Sequence, residues 1–226
     1  MRAETLLKFP WWLLAALAAG AFFVARSADQ WTSERDAGIA DAMNRASAPV
    51  VQFNDLAVTA NRLIAEGDAA RILIVDLDVH QGDGTASLTA GREDIATFSM
   101  HAEKNFPVRK ARSTRDVGLL DGTGDTAYLD VLAAHLPDLL DTVKPDIVLY
   151  QAGVDPHEGD RLGRLALTGD GLEARDRYVV AETRKRGLPI ASALGGGYGE
   201  DPREVAGRHA RSMLAMANEN SRFTPL

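Results

Sequence analysis

The sequence predicts an α/β fold, a mostly parallel sheet with helices on both faces, and three observations carry that expectation. From residue 49 onward, short apolar runs alternate with stretches whose apolar residues recur at helical spacing. The runs are nearly continuous in apolar residues, as strands covered on both faces are. The chain has 226 residues, 46% of them hydrophobic, enough for one such domain with a sizeable core.

Taken in order, residues 72–77 (ILIVDL), 95–100 (IATFSM), 147–151 (IVLYQ) and 189–194 (PIASAL) read as short buried strands. Residues 54–66, 126–140, 171–186 and 202–217 read as helices. Asn54 and Asp55 suit the start of the first helix. Gly187 follows the third as a C-terminal glycine, and Asp201-Pro202 supplies a cap and first position for the last. One domain over residues 45–220 accounts for these elements without any internal repeat.

Residues 1–31 differ from the rest. Arg2 and Lys8 precede residues 9–25, a stretch of 17 without charge, and Arg26 and Asp29 follow. As a helix that stretch would be about 25 Å long, short of a hydrocarbon core of about 30 Å. Three readings compete: a cleaved signal peptide, a membrane anchor inserted through residues 9–25, and a buried or misannotated segment that never meets lipid.

The charge balance excludes some partners. Asp and Glu number 32 against 25 Lys and Arg, a net charge of -7 with no basic run, so direct binding of nucleic acid is not expected. Without cysteine there is no disulfide, no thiolate ligand and no thiol nucleophile. Any metal must be held by His, Asp or Glu, and the histidines are His80, His101, His135, His157 and His209.

Ligands of open α/β sheets bind beyond the carboxyl ends of the strands. The first strand runs into Asp76, Asp78, His80 and Asp83, and the third ends in Asp155 and His157. Alternation along extended chain would turn Asp76, Asp78 and His80 to one side. Two carboxylates and an imidazole converging there are costly without a cation, and the donor set suits zinc or a similar divalent ion. Asp155 can add a third ligand, leaving a position open for water or a substrate carbonyl. Asp83 reads equally well as a turn cap. The last strand ends in Gly195-Gly196-Gly197-Tyr198-Gly199, a loop able to deliver the Tyr198 hydroxyl to a developing oxyanion. His101 could sit in the cleft or on a loop, the loop being the preferred reading. His157 reads as an exposed loop residue or a ligand, and His135 and His209 as helix residues.

Four motifs, VDLDVHQGDGT (75–85), FSMHAEKNFP (98–107), YQAGVDPHEGDRLGRLALT (150–168) and LGGGYG (194–199), resemble the zinc-dependent histone deacetylase family. The likeness is closest to its class IV and bacterial deacetylase-like branch. FNDLAV (53–58) is similar to the stretch leading into the first motif, and the resemblance runs over about residues 50–218. It implies an arginase/deacetylase-like fold and hydrolysis of acetyl-lysine, acyl-lysine or acetylpolyamine amides, in the cytoplasm unless residues 9–25 insert in a membrane. It also implies roles by position. Asp78, His80 and Asp155 resemble the zinc ligands, and Tyr198 the oxyanion donor. Asp76 and Asp83 resemble the carboxylates that orient two active-site histidines. Asp76, Asp78 and Ser99, with the carbonyls of His80 and Met100, resemble a structural potassium site. Phe106 resembles a wall of the acyl-lysine tunnel.

The sequence also departs from the family's pattern. The tandem histidines that handle the proton of the attacking water and of the leaving amine would fall before FNDLAV, and no histidine precedes His80. The family's N-terminal portion has no counterpart, which leaves a truncated product, a miscalled start or a genuine variant. Two functions follow: a zinc-dependent amide hydrolase with impaired proton transfer, or a metal- and acyl-lysine-binding remnant without turnover.

Overall fold

The computed structural model describes residues 22–25 and 54–223. The strands are β1 (Phe22–Ala25), β2 (Ile72–Asp76), β3 (Ile95–Ala102), β4 (Arg115–Leu119), β5 (Ile147–Gly153) and β6 (Ile190–Gly195). The helices are α1 (Asp55–Glu66), α2 (Asp83–Leu88), α3 (Asp125–Val143), α4 (Gly169–Lys185) and α5 (Pro202–Ser221). The six strands form one sheet in the order β1-β6-β5-β2-β3-β4. All neighbours run parallel except β1, which lies antiparallel on β6.

That order places the site. After β2 the chain builds outward through β3 and β4, then crosses back through α3 to add β5 and β6 on the other side of β2. The direction of growth reverses between β2 and β5. Loops leaving the carboxyl ends of two such strands diverge to opposite faces and open a crevice between them.

Every residue of β2 and β3 is buried, which explains their unbroken apolar character. Leu56, Ala60 and Leu63 of α1 pack with Ile72 and Ile74 on one face. On the other, Leu73 and Val75 pack with Tyr128 and Leu132 of α3, Leu172 and Val179 of α4 and Met216 of α5. Alternate residues of one strand therefore anchor two cores.

The predicted caps form. The Asn54 side chain accepts the Ala57 N–H at 2.8 Å, and Asp201 accepts that of Arg203 at 2.8 Å. Gly187 sits at φ 71° beyond α4. Three elements depart from expectation. β4 alternates between more and less exposed positions as an edge strand does, so it carries no apolar run. α2 is six residues long and includes Gly84. The apolar stretch 9–25 ends in strand β1, not in a helix continuing to Ala25, because Phe22–Ala25 pair with Ile190–Ala193 of β6. Residues 9–21 lie outside the described residues, as does Phe53. Among the described residues no helix is long and apolar enough to cross a membrane.

Candidate metal centre

β2 ends at Asp76, and residues 77–80 bend away, so simple strand alternation does not set the Asp76, Asp78 and His80 directions. The bend is held from within: Asp76 Oδ1 accepts the Asp78 N–H at 3.1 Å, and Asp78 Oδ1 accepts the His80 N–H at 2.9 Å. β5 delivers Asp155 from the other side of the crevice, fully buried, with Oδ1 accepting the Val79 N–H at 2.9 Å.

The result brings three of the predicted residues together. Asp78, His80 and Asp155 each offer a ligand atom, all within 4.8 Å of one another. His80 Nδ1 lies 3.0 Å from Asp78 Oδ1 and 3.2 Å from Asp155 Oδ2. These contacts, Asp155 first and Asp78 second, raise the His80 pKa to about 10. Burial raises Asp155 to about 6, against the lowering effect of the His80 contact. An imidazole that takes a proton to bridge two carboxylates occupies the place of a cation, and two oxygens with one nitrogen suit zinc or a similar divalent ion. The backbone leaves room for such a cluster. A Cβ at Gly153 would lie 2.7 Å from Asp78 Oδ2, and one at Gly196 would collide with the Asp155 carboxylate. Gly196 also has φ 62°, which disfavours any other residue.

Asp76 stands beside this cluster, nearly buried, outside the set of three. Burial and then the Asp78 charge push its carboxyl well above the usual range. Asp76 pairs in register with Ser99 of β3 and Gln151 of β5. Ser99 Oγ lies 2.9 Å from His101 Nδ1 and 3.4 Å from the Gly82 N–H that it accepts. Asp76, Asp78, His80, Gln81, Asp83 and Gln151 share one open cleft of about 250 Å³. Asp83 opens α2 and accepts the Gly84 N–H at 2.9 Å, while the helix start at Gly82 has no side-chain cap.

The Tyr198 and His80 rings stand nearly perpendicular, centroids 6.2 Å apart. Burial and the Asp78 and Asp155 charges raise its hydroxyl pKa. Asp160 positions it: Oδ2 accepts the Tyr198 N–H at 2.6 Å while Oδ1 accepts the Leu162 and Gly163 N–H groups. Phe106 projects into solvent, 69% exposed, on a loop that Gln81 holds. The Gln81 amide donates to Ala111 O and Asp116 Oδ1 and accepts the Ala111 N–H.

The other histidines lie apart. His101 is buried against Ser99, correcting its reading as a loop residue: β3 continues past Met100 to include it. His157 accepts the Gly159 N–H at 2.9 Å, His135 packs against Phe98, and His209 Nε2 lies 3.3 Å from Gly196 O. No histidine hydrogen-bonds Asp76 or Asp83 among the described residues, which include all five.

Sequence reasoning did not single out Gln81, Gln151, Asp160 or Arg175. For Arg175 a signal existed: with Asp176 it interrupts the apolar stripe Leu172, Val179, Val180 of α4.

The histone deacetylase domain family matches residues 51–215. An uncharacterized protein of Picosynechococcus is 52% identical over 158 residues, 70% of this chain and 53% of its own length. Histone deacetylase 2 of Arabidopsis thaliana is 30% identical over 149 residues, 65% of this chain and 38% of its own. The match thus spans about half, or less, of these relatives. An acetylpolyamine aminohydrolase structure from Burkholderia pseudomallei superposes with a TM-score of 0.62 at 21% identity, over 76% of this chain and 51% of that one. That likeness establishes the parallel α/β fold.

Proposed function

The chain belongs to the histone deacetylase family, and from that membership we propose a zinc-dependent hydrolase of acyl-amine amides, with acetyl-lysine, longer acyl-lysine and acetylated polyamines as the substrate class. The observation that carries this reading is the convergence of Asp78, His80 and Asp155 within 4.8 Å at the switch between β2 and β5. These three would hold zinc, which when bound lowers the pKa of water and polarises a carbonyl.

The chain's own groups fill the remaining roles. Tyr198, facing His80, would donate its hydroxyl proton in a hydrogen bond to the substrate carbonyl oxygen as negative charge develops there. Phe106 would flank the acyl chain as it enters. Asp76 and Ser99, adjacent in register, would contribute with Asp78 to a structural potassium site. Asp76 and Asp83 line the same cleft and would set the charge near the reacting water.

A second reading, binding without turnover, draws on the placement of the histidines away from Asp76 and Asp83. A positioned general base or acid is worth about 10²–10⁴-fold. One assay separates the two. The zinc-loaded chain is given an acetyl-lysine peptide and an acetylated polyamine, with Asp155→Ala as control. Turnover abolished by Asp155→Ala supports the hydrolase. Stoichiometric zinc and peptide binding without turnover supports the binder. Loss of neither zinc nor turnover in Asp155→Ala overturns the metal centre itself.

A further inference from the structure

Beneath the two strand ends that carry the cluster lies a fully buried guanidinium. Arg175, on α4, donates from Nη1 to Leu77 O at 3.1 Å and to Gly153 O at 2.7 Å. Leu77 immediately precedes Asp78, and Gly153 stands two residues before Asp155. Its other side is fixed: Nε donates to Asp176 Oδ1 at 2.9 Å, and Asp176 in turn accepts the hydroxyls of Tyr150, at 2.6 Å, and Ser212. The Asp176 carboxylate is itself completely buried.

A buried charge on this scale is costly, and two apolar residues on the α4 stripe would fill the core without it. What apolar residues could not do is bind two carbonyls from two strands at once. The two Nη1 hydrogens diverge at a fixed angle in the guanidinium plane, while Nε and Nη2 are held by Asp176, so the separation of the two carbonyls is set at the strand ends that lead into Asp78 and Asp155. We infer that Arg175 is a positioning residue that fixes the β2 and β5 ends relative to each other, and so fixes the spacing of Asp78 and Asp155. The inference deepens the metal-site reading above and rests on it for its functional meaning.

Groups that orient metal ligands are typically worth 10–100-fold in metal affinity. Arg175→Lys keeps the charge but has only one donor nitrogen on a flexible stem, so it cannot hold Asp176 through two nitrogens while a third, fixed in the same plane, binds both carbonyls. Should that variant fold poorly, Arg175→Met with Asp176→Leu removes the pair together. Leu63→Ala serves as the control, because it loosens the core on the opposite face of the sheet. The expected result is zinc affinity reduced about 10–100-fold and an altered cobalt(II) visible spectrum in the Arg175 variants, with neither change in Leu63→Ala. In metal-free protein, exchange of the Val79 amide, which bridges the two ends to Asp155, should accelerate selectively. Zinc affinity, cobalt spectrum and Val79 exchange all unchanged in a folded Arg175 variant overturn the inference while leaving the metal site standing. Wild-type protein that binds no zinc, yet shows selective Val79 exchange in the variants, removes the metal reading and keeps the positioning role.

Discussion

The Val79 N–H donates to Asp155 Oδ1 at 2.9 Å, across 76 residues of sequence. The amide lies between Asp78 and His80, so the turn carrying two members of the cluster is fastened to the third. Asp155 Oδ2 is left facing His80. A carboxylate that commits one oxygen to a backbone donor presents the other in a fixed direction, the arrangement that orients a ligand before an ion arrives.

The first prediction concerns protons. Without metal, His80 titrates near 10 because Asp155 and Asp78 stabilise its charged form, so at pH 7 it carries a proton. A metal ligand must be neutral at the donor nitrogen, and zinc uptake therefore releases that proton. Calorimetry in two buffers of different ionisation enthalpy should find about one proton released at pH 7 to 9. Apparent affinity should rise about tenfold per pH unit over that range and level off above pH 10. A pH-independent affinity would contradict it.

Gly196 offers a second test. With φ 62° and the Asp155 carboxylate where a Cβ would stand, Gly196→Ala should cost about 1–3 kcal/mol from backbone conformation, read by urea unfolding. It should weaken zinc binding further by displacing Asp155. Gly187, at φ 71° with open space around it, serves as comparison: Gly187→Ala should lower stability and leave zinc binding unchanged.

Asp176 holds the buried guanidinium of Arg175 and accepts two hydroxyls. Asp176→Ala leaves that charge unpaired, and unfolding free energy should fall by about 3–5 kcal/mol. Tyr150→Phe and Ser212→Ala each remove one neutral donor and should cost less, about 1 kcal/mol apiece. Equal losses in all three would show that the ion pair is not the centre of the network.

The loop carrying Phe106 is tied down through Gln81, which makes three hydrogen bonds to Ala111 and Asp116. Gln81→Ala should accelerate exchange of the Ala111 amide and cost about 1–3 kcal/mol, since it leaves those groups unpaired. If turnover is measurable and Phe106 flanks the acyl chain as proposed, KM should rise more than kcat falls.

The central strands were legible because burial on both faces removes polar alternation, and β2, β3, β5 and β6 begin within one residue of where the apolar runs predict. So were the caps at Asn54 and Asp201, whose side-chain chemistry is local. β4 escaped because an edge strand needs only Val117 and Leu119 to be apolar. The end of the stretch 9–25 misled for the opposite reason: apolar content cannot separate a helix from a strand, and pairing with β6 decides it. Asp78, His80 and Asp155 were recoverable from strand ends and donor chemistry, yet their convergence depends on a turn beyond β2 and on the chain reversing direction at β5. For Arg175 the interrupted stripe of α4 marks a buried charge but not what it binds. Its partners, Leu77 O and Gly153 O, are backbone atoms 98 and 22 residues away and leave no mark in the sequence.

X-ray absorption at the zinc edge, on the full chain loaded with one equivalent and on Asp155→Ala, tests the metal centre most directly. The account predicts a wild-type shell of one imidazole nitrogen with oxygens otherwise, and tight binding lost in Asp155→Ala. A shell with two or more imidazoles, or one that Asp155→Ala leaves unchanged, would contradict it.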